Sequence, residues 1–421
     1  MLSKEGLWAA AQLSGRRVRI SSFQQSSWTR STLKRILYVE VNEDHTVGGS
    51  HKVQYDLVTR LSPDFDPLIL HYQDNIWSSR LRDEGLEVIT WDDVRDSELA
   101  ALKRGGWFAK GRLGIAAVRR RLEFIKSHGV HAVHLNNSPF VGYDDWLPAS
   151  LMAGIPCTTY AMGDAFREPR ATRRFAVRRF ATHFAVSRYV EQALLSNGIP
   201  KRRILLTYPG VDLEAFDRIQ FRPSEQVRLD LGVGSDQVLA LMVGNIRRWK
   251  GQHVVVEALA QLASNTIQNL KVLFVGQGGT GEHADYREEL DAAVDRAGLG
   301  DTVVFTGRRE DVPDMLEAAD IAIHASIIPE PFGLVVQEAM LHGCAVIAAA
   351  AGGPVEMLDD SSGRVFDSAD PSQLTANLTQ LVHDRDLRET LARNARAKAR
   401  EFDVRRHVEL IQERYRELLG R

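Results

Sequence analysis

The chain of 421 residues is long enough for two or three domains, and its 44% hydrophobic and 26% charged residues are typical of a globular protein in water. No apolar run approaches the length of about 18 residues that a membrane-spanning helix needs. The two cysteines, Cys157 and Cys344, exclude a disulfide framework or a cysteine-rich metal cluster and are typical of a reducing compartment.

The net charge of −2 hides an asymmetry along the chain. Residues 1–210 contain 30 Lys and Arg against 21 Asp and Glu, a net charge of +9. The remaining residues contain 23 against 34, a net charge of −11. The two halves are therefore expected to meet different surroundings.

Apolar runs of strand length alternate with helical patterns from Ile36 onward, which predicts parallel sheets covered by helices on both faces. In the first half the strand candidates are RILYVEV, LIL, LEVIT, HAVHL, PCTTYAM, HFAVS and RILLTY. After a polar, turn-rich stretch the alternation resumes with VLALMVG, KVLFVG, TVVFTG, DIAIHAS, AVIAAA and GRVFD. We therefore predict an α/β protein of two doubly wound, Rossmann-like domains with a cleft between them.

Domain boundaries follow from the same patterns. We predict an N-terminal domain at 34–213, an interdomain connection at 214–236 and a C-terminal domain at 237–400. The helical pattern of 401–421 is expected to pack back toward the N-terminal domain. Residues 1–33 form an extension of unclear structure, for which a transit peptide is the alternative because the segment is rich in Ser and Arg.

The stretch SIIPEPFGLVVQEAML places two carboxylates, Glu330 and Glu338, around the start of a predicted helix. Ligands of open parallel sheets bind beyond the carboxyl ends of the strands, and this loop follows such a strand. The helix start offers N–H groups for a phosphate, and the two acids suit sugar hydroxyls. The spacing favours a nucleotide sugar. The alternative is an ordinary helix whose N-terminal acid the dipole stabilises, with one satisfied acid inside.

This segment resembles the Glu-x7-Glu signature of the retaining glycosyltransferases of family 4, which have the GT-B fold. Further motifs follow in the order of that family: GGSHKVQYDL, FAVSRYVEQALLSNGIPKRRILLTYPGVDLEAF, LMVGNIRRWKGQHVVVEAL, KVLFVGQGG, VVFTGRREDVPDMLEAADIAIHAS and GGPVEML. The resemblance covers roughly residues 35–410 and is most specific over 240–360.

The resemblance implies a donor site in which Glu330 and Lys250 are the catalytic residues. Glu330 would hold the donor sugar, and Lys250 would neutralise the departing diphosphate. The other implied donor contacts are backbone groups of Gly49, Phe332, Gly333, Leu334 and Val335 for the phosphates, Glu338 for the ribose, and Val304 and Gly307 for the base. Positive charge and N–H donors are what a leaving diphosphate needs. We therefore expect no metal, and the 13 histidines show no convincing metal-ligand spacing.

Two positions depart from the family pattern. Asn245 stands where the family has Arg in its glycine loop. Arg247 or Arg248 could supply that charge, and solvated surface residues are the equal alternative. Met162 stands where the family tends to have His, so no histidine role is transferred. Asp164 is the nearest polar candidate for an acceptor contact, with helix capping as its alternative.

Two basic stretches carry much of the N-terminal charge: 101–128 has a net charge of +7 and 166–180 one of +5. In the second stretch four arginines share one helical face, namely Arg170, Arg173, Arg174 and Arg178, of which Arg170 and Arg174 are acceptor-side candidates. An anionic membrane surface or a lipid-diphosphate acceptor would suit them. The alternative is a solvated face. Nucleic acid is not expected, because stacking aromatics of a known module are not interleaved.

We therefore expect a retaining hexosyltransferase that uses UDP- or GDP-hexose and a hydroxyl of a glycan, lipid-linked or small-molecule acceptor in glycan, polysaccharide or glycolipid biosynthesis. No cofactor is expected beyond the nucleotide sugar. The expected location is cytoplasmic, including peripheral attachment to the inner face of the membrane. The alternatives are a nucleotide-sugar-binding subunit with little turnover, which Asn245 and Met162 favour, and a nucleotide-sugar epimerase, which the PEPFG order disfavours.

Overall fold

The computed structural model describes residues 33–41, 48–91, 107–137, 146–162, 177–278 and 284–420. These residues form two compact units. We call residues 33–212 together with 403–420 the N-terminal unit, and residues 213–402 the C-terminal unit. The predicted extension lies outside the described residues except for Leu33.

The N-terminal unit is built on a parallel sheet. Its strands are β1 (Lys34–Glu40), β2 (Phe65–His71), β3 (Glu87–Thr90), β4 (Ala132–Asn136), β5 (Cys157–Ala161), β6 (Thr182–Ala185) and β7 (Ile204–Leu206). The order across the sheet is β3-β2-β1-β4-β5-β6-β7. The helices between these strands are α1 (Gly49–Val58), α2 (Ile76–Asp83), α3 (Trp107–Ser127), α4 (Trp146–Ala153) and α5 (Arg188–Ser196), with a 3-10 turn at Lys201–Arg203.

The C-terminal unit repeats this architecture with six strands. They are β8 (Val238–Val243), β9 (Leu270–Val275), β10 (Val303–Gly307), β11 (Ile321–His324), β12 (Ala345–Ala349) and β13 (Gly363–Phe366), in the order β10-β9-β8-β11-β12-β13. Its helices are α6 (Leu213–Phe216), α7 (Ser224–Asp230), α8 (Gln252–Leu259), α9 (Ser264–Gln268), α10 (Ala284–Arg296), α11 (Val312–Ala318), α12 (Leu334–Leu341), α13 (Pro371–His383) and α14 (Arg385–Ala399). Two 3-10 turns lie at Arg248–Lys250 and Pro354–Glu356.

The central strands are almost entirely buried, which explains why they could be recognised as continuous apolar runs. In β1 the four residues 36–39 have no exposed surface, and all five residues of β12 are buried. Strands of parallel sheets lose both faces to covering helices, so apolar side chains are favoured at successive positions rather than alternate ones. All thirteen predicted strands are present, and the predicted pair of doubly wound units is confirmed.

Polar side chains define several helix starts. The Asn75 side chain accepts from the backbone N–H groups of Trp77 and Ser78, and the Ser78 hydroxyl accepts from the Asn75 N–H, a reciprocal capping box for α2. Ser187 caps α5, and Asp370 and Asp384 cap α13 and α14. Each cap satisfies backbone donors that a helix start otherwise leaves without a partner.

The last helix, α15 (Val404–Leu418), belongs to the N-terminal unit. Its buried residues, among them His407, Val408, Ile411 and Tyr415, recur at helical spacing. The Tyr415 hydroxyl lies 2.8 Å from His134 Nδ1 on β4. The chain therefore returns to the first sheet after completing the second unit.

The stretch 214–236 groups with the C-terminal unit and contains most of α6 and all of α7. The Arg222 N–H donates to Asp314 Oδ1 at 2.9 Å, and Arg228 forms an ion pair of 2.9 Å with Asp320. These contacts attach the stretch to α11 and to the residue just before β11.

Candidate active site

The strand order reverses at one place in each sheet, between β1 and β4 and between β8 and β11. Loops that leave the carboxyl ends of such a strand pair diverge in opposite directions and create the usual ligand site of an open α/β sheet. In the C-terminal unit these loops contain Lys250, which follows β8, and Glu330, which follows β11. The structure brings these two predicted catalytic residues into contact.

Glu330 is the centre of a cluster of hydrogen-bond donors. Lys250 Nζ lies 2.7 Å from Glu330 Oε1, and His324 Nε2 lies 3.0 Å from the same oxygen. The Ser326 hydroxyl donates to Oε1 at 2.5 Å. Three side chains therefore converge on one carboxylate oxygen, and none of these bonds involves Oε2.

The charge of Glu330 follows from these neighbours. Burial alone would raise the pKa of its carboxyl group, since its side chain is only 13% exposed. The hydrogen bonds that His324 and Lys250 donate, together with the positive charge beside the carboxylate, outweigh burial and hold the pKa well below its usual range. Glu330 is therefore ionised at neutral pH, as an acceptor for sugar hydroxyls requires.

Gly251 allows the loop of Lys250 to lie directly against the loop of Glu330. Its φ is +79°, and a β-carbon placed there would lie 1.9 Å from the carbonyl oxygen of Ala325. The two loops are also joined by the Ile327 N–H, which donates to the Trp249 carbonyl at 2.9 Å. Any other residue at 251 would push the loops apart and move Lys250 from Glu330.

A second glycine turn supports Glu330 from the other side. The Gly353 N–H donates to the Glu330 carbonyl at 2.8 Å. Gly352 has a φ of +81°, and a β-carbon on it would lie 2.3 Å from that carbonyl oxygen. The AAAGGPVE segment therefore fixes the backbone of the PEPFG loop.

Helix α12 begins immediately after this loop. The described residues supply no side-chain cap at its N-cap residue, Gly333, and the first backbone bonds run from Val336 and Gln337 to the Gly333 carbonyl. The N–H groups of Leu334 and Val335 precede those bonds, so the helix start is suited to bind an anion. Glu338 lies one turn further along and is half-buried.

The two arginines near Asn245 have different surroundings. Arg248 is paired with Glu289, and its guanidinium lies 4.7 Å from the ring centre of Tyr286. Arg247 is half-buried, and its side chain has no ion-pair or hydrogen-bond partner among the described residues. Asn245 itself is exposed. Arg247 is thus the arginine that remains available for a ligand.

The remaining predicted site residues are spread over both units. Val304 and Gly307 are half-buried on β10, the edge strand of the second sheet, and the Gly307 carbonyl accepts from the Gly276 N–H at 3.0 Å. Gly49 is the first residue of α1 in the N-terminal unit. Asp164, Arg170 and Arg174 lie outside the described residues.

Several polar residues at the strand ends were not predicted from the sequence. In the second unit these are His324 and Ser326, the additional partners of Glu330. In the first unit, Glu40 ends β1 and accepts hydrogen bonds from Asn136 Nδ2, at the end of β4, and from the Ser50 hydroxyl at 3.3 Å. Their common signal is a polar residue inside or just after an apolar strand, as in RILYVEV and DIAIHAS.

The described ranges contain neither a metal site of clustered side chains nor a membrane-spanning helix. No cluster of three or more His, Cys, Asp and Glu side chains is arranged to bind a metal ion in that part of the chain. No helix within the same ranges has the length and hydropathy to cross a membrane.

Comparisons with known proteins agree with this geometry. The family model "Glycosyltransferase Family 4" matches residues 48–215, and "Glycosyl transferases group 1" matches residues 224–398. The D-inositol 3-phosphate glycosyltransferase of Corynebacterium jeikeium is 31% identical over 213 residues, which are 50% of this chain and 51% of that protein. The chain thus matches about half the length of such relatives.

Solved structures support the fold. Anabaena HepE, determined with UDP and glucose, has a TM-score of 0.75 at 24% identity, covering 91% of this chain and all of HepE. A glycosyltransferase of Rickettsia africae has a TM-score of 0.77 at 21% identity, covering 92% of this chain and 99% of that protein. These structures show that the chain has the GT-B fold. The two family models, which together match residues 48–215 and 224–398, show that the chain belongs to the family 4 glycosyltransferases.

Proposed function

We propose that this protein transfers a hexose from a nucleoside-diphosphate sugar to an acceptor hydroxyl with retention of the anomeric configuration. The observation that carries the proposal is the contact of Lys250 with an ionised Glu330 beside the helix start of α12. An anionic acceptor of sugar hydroxyls, a cation and free helix N–H groups are the three features that a nucleotide sugar requires together.

Each group has a role in this proposal. Glu330 accepts hydrogen bonds from the donor sugar, and Glu338 accepts from the ribose hydroxyls. Lys250 and the N–H groups at the start of α12 stabilise the negative charge that develops on the departing diphosphate. The departing phosphate can itself accept the proton of the acceptor hydroxyl, so the reaction needs no separate protein base. The role of Gly49 at the diphosphate rests on the family resemblance alone.

A panel of nucleotide sugars tests the donor. UDP-glucose comes first, because a structural neighbour was determined in complex with it, followed by other UDP- and GDP-hexoses. A ligand that binds only the folded protein at 100 times its Kd adds about 2.7 kcal/mol of stability. The true donor should therefore raise the melting temperature, and Glu338→Ala should weaken binding of the free nucleotide. Unchanged nucleotide affinity in that variant would contradict the ribose assignment.

A nucleotide-sugar-binding subunit with little turnover is the second candidate, favoured by Asn245 in place of the family arginine. It predicts the same thermal stabilisation but no transfer of the sugar. Release of nucleoside diphosphate in the presence of candidate acceptors separates the two functions. The acceptors to test include D-inositol 3-phosphate, since the matched relatives are named D-inositol 3-phosphate glycosyltransferases, as well as glycans and lipid-linked substrates.

For the location of the acceptor we propose an anionic membrane surface. Helices α3 and α4 pack against each other, and they expose Ile115, Leu151 and Met152. Arg119 and Arg120 lie on the exposed side of α3 near Ile115. Among the four arginines predicted for membrane contact, Arg178 is described and exposed, and the other three lie outside the described residues.

Vesicle binding tests this location. Phosphatidylcholine vesicles with phosphatidylglycerol should bind the protein at low salt and release it at high salt. Replacing both Arg119 and Arg120 by Gln should weaken binding by about 2 kcal/mol in total, at roughly 1 kcal/mol for each cation near the surface. Arg385→Gln, in the other unit, is the control. A wild-type protein that ignores these vesicles would point to a soluble acceptor.

A further inference from the structure

His324 is the last residue of β11, and its side chain is only 5% exposed. Its Nε2 lies 3.0 Å from Glu330 Oε1. The family resemblance implies no role for this residue. It lies at the carboxyl end of a central strand, in contact with the proposed sugar-binding carboxylate.

The charge of the cluster limits the protonation of His324. Lys250 Nζ already pairs with Glu330 at 2.7 Å, and both side chains are less than one-fifth exposed. One carboxylate can neutralise only one cation, so an imidazolium at His324 would add a second, uncompensated positive charge in a poorly solvated place. Burying such a charge costs several kcal/mol by typical values.

The surroundings of the other ring nitrogen, Nδ1, also favour the neutral form of His324. His324 Nδ1 is buried and has no hydrogen-bond partner among the described residues. An N–H group at Nδ1 would therefore lack an acceptor, at a cost of about 1–3 kcal/mol. The side chain also borders a cavity of about 10 Å³ whose other lining residues, such as Leu241, Val243 and Val346, are apolar. The proton therefore belongs on Nε2, where Glu330 accepts it.

We propose that His324 is a neutral positioning residue, which donates from Nε2 to fix Oε1 of Glu330 and leaves Oε2 for the hydroxyls of the donor sugar. This inference deepens the proposed function and rests on it for the identity of the ligand. A neutral donor fixes the carboxylate without adding a charge that would compete with Lys250.

The arrangement has a consequence for the reaction. Lys250 must serve the departing diphosphate as well as Glu330, so its bond to Oε1 weakens when the donor binds. His324 and Ser326 then keep Glu330 in place, because both bind the same oxygen independently of Lys250. The sugar contact is thus preserved while the cation is shared with the leaving group.

Histidine 15N NMR of the ligand-free protein tests the protonation state without any donor. The resonances that disappear in His324→Gln belong to His324. At neutral pH they should show a protonated Nε2 and an unprotonated Nδ1. A protonated Nδ1, either as an imidazolium or as the other tautomer, would overturn the proposal whatever sugar the protein uses.

Three substitutions test the positioning role. Gln can place an amide N–H near the position of Nε2, whereas Leu has no donor and the Asn amide is too short to reach Glu330. His324→Leu and His324→Asn should lower kcat about 10- to 100-fold, the effect of losing one hydrogen bond to a charged group. His324→Gln should restore most of that loss, and affinity for free UDP should stay unchanged in all three.

The matched control is His342→Leu, which removes a buried histidine that contacts Glu317 in the same unit. It should keep the kcat of the wild type, and any general destabilisation appears in its melting temperature. Equal kcat in His324→Leu, His324→Gln and the control would overturn the positioning role. If the wild type transfers no sugar at all, the proposed function fails, while the NMR result still decides the protonation of His324.

Discussion

Two glutamates lie near the points where the strand order reverses, one in each sheet, but they have opposite electrostatic surroundings. Glu40 ends β1, and Glu330 follows β11, so each lies where the strand order of its sheet reverses. Both are largely buried. Burial raises the pKa of Glu40 from its ordinary 4.5 to about 7, because its partners Asn136 and Ser50 are neutral and only partly oppose that effect. Around Glu330 the donors, with Lys250 among them, reverse the effect of burial.

This difference shows that the hydrogen-bonding and charged partners of a buried carboxyl group, rather than burial itself, decide whether it is ionised at the end of a strand. The C-terminal unit holds an anion against a cation at its switch point, which suits a charged nucleotide sugar. The buried polar groups of the N-terminal unit are mostly neutral. Burial there lowers the pKa of His71 and His134 to about 3 and that of His51, His183 and His407 to about 4.

The largest expected effect comes from breaking the charged cluster. Glu330→Ala and Lys250→Ala should each reduce kcat by about 10²–10³-fold, since the loss of a contact that stabilises developing charge costs about 2.7–4 kcal/mol. Steady-state kinetics measure the effect, and melting temperatures show whether the fold is retained. Glu289→Ala, which removes the exposed partner of Arg248, is the control. A kcat close to that of the wild type in either variant would refute the role of the cluster.

The second effect concerns the free energy of unfolding as the pH rises from 5 to 8. Because the pKa of Glu40 is raised on folding, the folded protein binds an extra proton between pH 4.5 and 7, and stability falls as pH rises through that range. Glu40→Gln removes this loss of stability, because the glutamine side chain does not titrate. Relative to the wild type, the variant should therefore gain about 2–3 kcal/mol more at pH 8 than at pH 5. Urea unfolding at both pH values measures the difference.

The comparison between variant and wild type cancels the contribution of the buried histidines, which both proteins share. Glu225→Gln, at an exposed position of α7, should show no such dependence. If the stability difference between Glu40→Gln and the wild type is the same at both pH values, Glu40 is already ionised in the folded protein. The contrast with Glu330 would then be wrong.

A smaller effect is expected from the two neighbouring arginines. Arg247→Gln should weaken UDP binding about tenfold, as expected when one hydrogen bond to a charged group, worth about 1.5 kcal/mol, is lost. Arg248→Gln should leave the affinity unchanged, because Glu289 and the Tyr286 ring already engage Arg248. Calorimetric titration with UDP measures the affinity of each variant. The reverse ranking would show that Arg248 replaces the family arginine.

The smallest expected effect is that of metal removal. Lys250 and the start of α12 supply the positive charge in the proposed mechanism, so EDTA should leave kcat unchanged. Assays with EDTA and with added Mg²⁺ or Mn²⁺ measure this directly. Activity that disappears with EDTA and returns with Mg²⁺ would show that the diphosphate requires a divalent cation as well.

Much of the fold could be predicted because its signals are local. Parallel strands buried on both faces appear as short apolar runs between turns, so every strand from β1 to β13 was recognisable. Glu330 and Lys250 were predicted from motifs, yet they are 80 positions apart, and their contact depends on the strand order that places β8 beside β11. Periodicity alone contains no information about such a contact.

The contact between Glu40 and Asn136 escaped prediction for the same reason. Glu40 and Asn136 are 96 positions apart and meet only because β1 pairs with β4 in the register that aligns their last residues. His324 and Ser326 lie only 6 and 4 positions from Glu330, but the sequence does not show how the loop between them folds back to bring these side chains together. Where a side chain's role depends on a distant partner, the pairing of strands has to be known first.

The anomeric configuration of the product tests the central claim most directly. With UDP-glucose or whichever α-linked nucleotide sugar stabilises the protein, proton NMR of the transferred sugar should show an α-linkage. That result is expected if Glu330 holds the sugar while the diphosphate leaves and accepts the acceptor's proton on the same face. A β-linked product would contradict the retaining reaction and with it the roles given to Glu330 and Lys250.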